Sequence, residues 1–317
     1  MFIQTLPESI AQASDRWGLS NVQPVPNLSY NFVAFAKQRP SPFGTCARKG
    51  RGQGEGNVVL KIGVPDRELK SEMAALLFFN GSGACGLIEK DEEKCFLLLE
   101  RLKPGEMLST IEDDDEATHI AAQVMQNLWR PLPEHSAQGG VPREASQWDA
   151  AGDGGSSIVS KFIQLSEWFD GLKKIRPHFG GGTGPFPKPL LERVESILPE
   201  LFVDTNVKLL HGDFHHFNIL SSERGWLAID PKGVIGPAGY EIGPFMLNPL
   251  NSFSDWSRFK ARAERRAGIF SERLGWEREK ILQWATAHAV LSAWWSLEDD
   301  TGWQYALQCA ELFSEIK

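Results

Sequence analysis

The chain has 317 residues, with 33 Lys and Arg against 41 Asp and Glu, a net charge of −8; its 42% hydrophobic and 23% charged composition is that of a folded globular protein and excludes wholesale disorder. The acidity argues against non-specific binding to nucleic acid or to an anionic membrane surface. Cys46, Cys85, Cys95 and Cys309 form no CxxC pair, no apolar run approaches the ~20 residues of a membrane span, and the N-terminus lacks a basic, apolar leader, so a cytoplasmic protein of roughly two domains is expected.

The first hundred residues are mixed and β-rich. Short β-branched and aromatic runs predict strands over 32–35, 57–62 and 95–99. Between the second and third, Leu69, Met73, Leu76 and Leu77 recur at helical spacing and predict a helix over 66–80. Lys103-Pro104-Gly105 then breaks the chain and makes a natural hinge. Beyond it the pattern turns helical. The acidic run 112–116 precedes Ile120, Val124 and Leu128, and carboxylates in a first helical turn suit the macrodipole. Residues 131–157 and 176–189, rich in Pro and Gly, predict long loops. Helices are expected over 158–174, 189–202, 255–274 and 276–297, with a last one near the C-terminus, and there is no internal repeat.

The most informative stretch is Val207-Lys-Leu-Leu-His211-Gly-Asp213-Phe-His215-His216-Phe-Asn218-Ile-Leu220, followed by Trp226-Leu-Ala-Ile-Asp230-Pro-Lys232. Two apolar strands flank a polar loop, and a third strand ends at Asp230. A carboxylate, an amide five residues on and a second carboxylate are thereby expected around one cleft. Asn and Asp are hard oxygen ligands suited to Mg²⁺, which takes few protein ligands together with substrate phosphates. Two chemistries compete for these residues. His211, Asp213, His215 and His216 could serve a metal-dependent hydrolase, although the adjacent His215 and His216 would point apart and Asn218 has no role in that scheme. Phosphoryl transfer uses Asp213 as base for an alcohol, with Asn218 and Asp230 holding Mg²⁺ on ATP.

HGDFHHFNIL followed by AIDPK resembles the aminoglycoside phosphotransferase family, a branch of the protein-kinase-like fold, whose signature is H-G-D-x-x-x-x-N and then a strand ending in a metal-binding Asp. The D-P-K ending and Gly239-Tyr-Glu-Ile-Gly-Pro-Phe245 are most similar to the streptomycin and hydroxyurea antibiotic-resistance kinases, and the resemblance runs from Asn27 to Gly302. It implies an α+β, two-lobed architecture: a small β-rich, nucleotide-binding N-lobe over 1–102 and a larger, mostly helical C-lobe over 103–317 that carries catalysis and the acceptor. The implied cofactors are ATP and Mg²⁺. The implied partners are a nucleotide and a small-molecule alcohol acceptor, aminocyclitol-like or hydroxyurea-like. A metabolic small-alcohol kinase of the same fold is the alternative within this class.

The N-terminal third supplies further candidates. Phosphoryl transfer needs a strand Lys on the α/β-phosphates, fixed by a helix Glu. Lys61 ends an apolar strand and Glu72 follows eleven residues later on the predicted helix, with Glu68 one turn earlier as the competing partner. By the resemblance, the carbonyl of Glu100 and the amide of Leu102 would bond adenine. His211 would be structural, and Glu241 stands where related kinases carry an Asp that anchors the catalytic loop. His215 and His216 occupy variable loop positions, expected to face solvent or the acceptor. The glycine-rich 50–56 falls where this fold has the turn between its second and third strands, so a hairpin tip is expected there. The phosphate loop falls instead on 28–31, which has no glycine. Finally, Glu298, Asp299 and Asp300 end a long apolar helix, where acids oppose the macrodipole. In this family the acceptor lies between the catalytic loop and the C-terminal helices, which makes these three acids candidate acceptor contacts.

Overall fold

The structure is a computed structural model that describes residues 2–26, 31–39, 56–130, 132, 158–204, 206–249 and 255–316. The glycine stretch 50–55, the phosphate-loop candidates 28–30 and, apart from Leu132, the expected loop 131–157 lie outside the described residues.

A helix, α1 (Phe2–Trp17), leads into β1 (Leu19–Pro24), β2 (Phe32–Gln38) and β3 (Gly56–Ile62); α2 (Arg67–Phe79), β4 (Leu87–Asp91) and β5 (Phe96–Glu100) follow. The five strands form one antiparallel sheet in the order β1-β2-β3-β5-β4. Side chains alternate across a strand, so the sheet has two apolar faces. Val58, Leu60 and Ile62 of β3, with Phe96 and Leu98 of β5, pack against Ala13 and Trp17 of α1. The odd-numbered Val59, Leu97 and Leu99 face Leu69, Met73 and Leu76 of α2. Lys61 belongs to the odd set, which is why it reaches α2. That helix starts where Asp66 caps the amide of Leu69 and stops where Asn80 turns left-handed, at φ 48°.

The chain then enters β6 (Pro104–Met107) and α3 (Asp114–Leu128), whose N-cap Asp113 accepts from the amides of Asp115 and Glu116. Residues 158–174 do not form the continuous helix expected. They make a 3₁₀ turn (Ile158–Lys161), the short β7 (Ile163–Gln164), α4 (Leu165–Phe169) and a second 3₁₀ turn (Asp170–Lys174). The cause is tertiary. Ile163 and Gln164 pair in parallel with β11 (Val234–Pro237), and that ladder overrides the local helical pattern. The expected loop 176–189 begins inside a single helical turn, α5 (Ile175–His178), and leads to α6 (Lys188–Phe202).

Two small sheets frame the loop bearing Asp213. One holds β7, β11 and β8 (Val207–Leu210); the other holds β6, β9 (Ile219–Ser222) and β10 (Gly225–Ala228). The remaining helices are α7 (Ile242–Leu247), α8 (Trp256–Leu274), α9 (Arg278–Glu298) and α10 (Gln304–Glu315). The helix α9 packs against α6, α7, α8 and α10, and its Trp284 and Trp294 are among the most buried side chains. A sheet-built lobe followed by a helical one is therefore the architecture, as the resemblance implied. No helix among the described residues is long and apolar enough to cross a membrane.

Candidate active site

The H-G-D-x-x-x-x-N loop leaves β8 at His211 and returns to β9 after Asn218. Gly212 sits at φ +87°, and a Cβ there would come within 2.8 Å of Val234 and 3.0 Å of Trp168, so glycine is required. Glu241 closes this turn from below: its carboxylate accepts from the amides of His211 at 2.7 Å and Gly212 at 2.9 Å. The longer side chain therefore makes the contacts that an Asp was expected to make.

His211 is fully buried and both of its ring nitrogens are engaged. Nε2–H donates to the carbonyl of Ile229 at 2.7 Å, and Nδ1 accepts from the amide of Asp213 at 3.2 Å. Burial pushes its pKa down to about 4, so it stays neutral. A ring with both nitrogens occupied has no lone pair left for a metal, which removes His211 from the hydrolase scheme.

His215 Nδ1 accepts from the amide of Phe217, which leaves Nε2–H, 3.5 Å from Asp213 Oδ1, to face that carboxylate. Burial works against the ionised form of Asp213. His215 first, with Lys232, outweighs it and holds the carboxyl well below the usual range. The Asn218 amide nitrogen donates to the Asp213 carbonyl at 3.0 Å, so its carbonyl oxygen is the atom available to a hard cation.

His216 does not face solvent and is not among the residues lining the cleft that holds Asp213. It is buried, stacked on Phe245 with ring centroids 4.1 Å apart, and its Nε2 accepts from Arg266 at 3.1 Å. Arg266, 1% exposed on α8, also donates to Asp114 of α3 and to the carbonyls of Phe245 and Asn248. The acidic run at the start of α3 therefore does more than suit the macrodipole. It is tied to the helix that supports the loop.

Asp230 follows β10 and turns left-handed, at φ 59°, and the amide of Ile229 donates to the carbonyl of Asn218 at 2.9 Å. This bond brings the two expected metal ligands to one edge. Lys61 crosses from the other lobe to meet them. Its Nζ donates to both oxygens of Glu72 at 2.7 Å and also contacts Asp230 Oδ1. Burial disfavours the lysine charge, but Glu72 and Asp230 outweigh it and raise the pKa above the usual lysine range. Glu68, the competing partner, instead lies 3.7 Å from Lys232.

Glu100 ends β5, and its carboxylate accepts from the amide of Gly86 at 2.9 Å and from Arg224 at 2.6 Å. Leu102 is buried beside Leu99 and Leu227. Their main chain thus lies at the junction of the large sheet with the β9–β10 hairpin.

A cleft of about 810 Å³ brings some of these groups together, while Lys61, Asn218, Glu100 and Leu102 are not among its lining residues. Its lining includes Glu72, Asp213, Asp230, Lys232, Glu298 and Asp299. Asp300 is not among the lining residues; it turns left-handed at φ 53°. Glu298 also pairs with Lys174 at 3.3 Å, which offsets part of its conflict with the helix end. Trp168, Trp295 and His288 line the same cleft, and of these Trp168 and His288 were not singled out from sequence; Trp295 meets Trp168 edge-on at 5.4 Å, whereas its neighbour Trp294 is core.

His288 hydrogen-bonds Tyr240 Oη through Nδ1 at 3.1 Å, and burial pushes its pKa down to about 4. The unfolded chain, with His near 6.5, takes up this proton first. The stabilisation is therefore complete above about pH 6.5 and lost as pH falls toward 4. Over that window His288→Gln should remove roughly 3 kcal/mol of acid-induced destabilisation. Urea melts of both proteins at pH 7.5 and pH 4.5 measure it; parallel pH dependence would show that His288 is not buried neutral.

The donor set fits Mg²⁺: one carboxylate and one amide oxygen at the cleft edge, beside a cation pre-placed for phosphate. Among the described residues, no group of three or more His, Cys, Asp or Glu has the arrangement to hold a metal ion.

The family model for the aminoglycoside/hydroxyurea antibiotic resistance kinase matches residues 45–145 and 164–300. Streptomycin 6-kinase of Streptomyces griseus is 26% identical over 306 residues, covering 94% of this chain and 85% of that protein. Hydroxyurea phosphotransferase of Kitasatospora aureofaciens is 28% identical over 300 residues, covering 94% and 75%. Among solved structures, a choline/ethanolamine kinase family protein from Mesorhizobium loti aligns with a TM-score of 0.58 at 11% identity, over 97% of this chain and 95% of that one. A thermostable aminoglycoside phosphotransferase mutant, in complex with ADP and hygromycin B, aligns with a TM-score of 0.55 at 14% identity, over 96% of each chain. These structural likenesses establish the two-lobed fold.

Proposed function

The chain belongs to the aminoglycoside/hydroxyurea antibiotic resistance kinase family, and we propose that it moves the γ-phosphoryl group of ATP to a hydroxyl of a small aminocyclitol-like or hydroxyurea-like acceptor. One observation carries the reading. Lys61, braced by Glu72, reaches Asp230, which lines the same cleft as Asp213, the carboxylate that His215 holds ionised.

Lys61 holds the α/β-phosphates, and the main chain at Glu100 and Leu102 bonds adenine. Asn218 and Asp230 are the residues that would hold Mg²⁺, which when bound neutralises charge on the phosphates. Asp213 orients the acceptor hydroxyl. Its depressed pKa makes it a weak base, suited to taking the proton late, when the acceptor oxygen is already bonding to phosphorus. Alignment of the two substrates in the cleft supplies much of the remaining rate.

The direct experiment incubates the protein with Mg²⁺ and ATP against streptomycin-like aminocyclitols, hydroxyurea and common metabolic alcohols. ADP release is followed, and the product is examined by phosphorus NMR. A phosphate ester on one acceptor supports the reading, and its identity separates a resistance kinase from a metabolic one. ATP turnover that yields only inorganic phosphate with every acceptor counts against it.

Glu298 and Asp299 are assigned to the acceptor, because they line the same cleft as Asp213, Trp168 and Trp295. Both are exposed, so each contact is modest. The Glu298→Gln, Asp299→Asn double variant should raise acceptor KM about three- to tenfold while leaving ATP KM unchanged. Unaltered acceptor kinetics would return both residues to the solvated surface.

A further inference from the structure

The cleft wall is strongly acidic. Seven of its lining residues are Asp or Glu, and Lys232 is the single Lys or Arg among the described residues that line it. A nucleoside triphosphate is a polyanion, and in phosphoryl transfer charge spreads over the equatorial oxygens of the moving group. Lys61 is already engaged by Glu72 and Asp230. The catalytic loop from Asp213 to Asn218 reads D-F-H-H-F-N and holds no Lys or Arg. Beyond the Mg²⁺ that Asn218 and Asp230 would hold, the γ-phosphoryl group thus lacks a side-chain cation from either place.

Lys232 is built into position for that task. Its amide donates to the carbonyl of His211 at 2.6 Å, so its backbone moves with the catalytic loop. The next carbonyl, that of Gly233, accepts from Ser71 of α2 at 2.6 Å, so the same segment is tied to the helix that bears Glu72. Its side chain is 30% exposed and ends 3.7 Å from the carboxylate of Glu68, which is itself 54% exposed. An exposed pair of this kind is weak and readily exchanged for phosphate.

We propose that Lys232 is the cation that binds the γ-phosphoryl group during transfer, and that Glu68 holds its side chain at the cleft until nucleotide arrives. This inference rests on the phosphotransferase reading. Lys232 neither gains nor loses a bond. The bond from the γ-phosphorus to the bridging oxygen breaks, a bond to the acceptor oxygen forms, the acceptor proton passes to Asp213 and ADP departs.

The test compares Lys232→Met and Lys232→Arg with the unaltered chain, using tryptophan fluorescence titrations of AMP-PNP and of ADP with Mg²⁺. Lys232→Met should weaken AMP-PNP binding about ten- to a hundredfold and leave ADP within about twofold, because only the former carries a γ-group. Its kcat should fall about 10²–10³-fold, and Lys232→Arg should recover most of both losses. Equal weakening of AMP-PNP and ADP would overturn the proposal in favour of a structural role or a contact with the inner phosphates. Unchanged binding and turnover would reduce Lys232 to an exposed partner of Glu68. Failure of the unaltered chain to bind either nucleotide would overturn the phosphotransferase reading, and the proposal with it.

Discussion

Asp213→Asn should lower kcat by about 10²–10⁴-fold, the usual scale of general-base catalysis, with nucleotide affinity close to normal. Asn keeps the shape of the side chain and removes the proton acceptor. The supports around it remain: the Asp213 amide still donates to His211, and the Asn218 amide still donates to the Asp213 carbonyl. The variant should therefore fold as the parent does, and thermal unfolding of the two checks this before turnover is compared. A pH profile adds a second reading. His215 first, with Lys232, holds the Asp213 carboxyl below the ordinary carboxylate range. No acid limb in kcat should then arise from it between pH 5 and 8. Near-normal turnover of Asp213→Asn on a true acceptor would exclude the assigned role.

The machinery that was legible in the sequence is local. H-G-D-x-x-x-x-N places its residues within one loop, and the hairpin back to Asp230 is only twelve residues long, so chain order alone brings them together. Lys61 and Glu72 were legible only with that loop in hand, since phosphoryl transfer calls for a strand Lys fixed by a helix Glu; the periods of β3 and α2 then bring the two together. The cleft wall was not. Trp168 reaches it from α4, in a segment whose expected helix is interrupted by pairing with β11, and His288 and Trp295 reach it from α9, where nearly every face is apolar and periodicity cannot say which side is wet. His216 was misread for a related reason: its neighbours Arg266 and Phe245 lie 50 and 29 residues downstream, and only the packing of α8 onto the loop buries it. The helix α1 carried a signal, since Leu6, Ile10, Ala13 and Trp17 share one face, but Pro7 within it obscured the pattern.

Lys61→Met should be the most damaging single change in the N-terminal lobe. Lys61 is 4% exposed, and both oxygens of Glu72 lie 2.7 Å from its Nζ. Removing its charge leaves Glu72 buried beside Asp230 with nothing between them, and breaking a buried pair in this way costs about 3–5 kcal/mol. Glu72 has one escape. Burial already pushes its pKa up, and without the opposing lysine it rises further, so the carboxyl takes up a proton. A carboxyl whose folded pKa exceeds its unfolded value favours the folded state at low pH, and that contribution is lost as pH rises through the folded pKa. The variant should accordingly lose more stability at pH 8.5 than at pH 6, as urea melts at the two pH values would show. Turnover should fall about 10²–10³-fold at both, because protonating Glu72 restores no cation to the phosphates. The double variant Lys61→Met, Glu72→Leu separates the two effects. An apolar pair of similar volume commonly replaces a buried ion pair at little cost, so stability should return while turnover does not. Recovery of turnover along with stability would mean that Lys61 holds the lobe together and has no part in binding nucleotide.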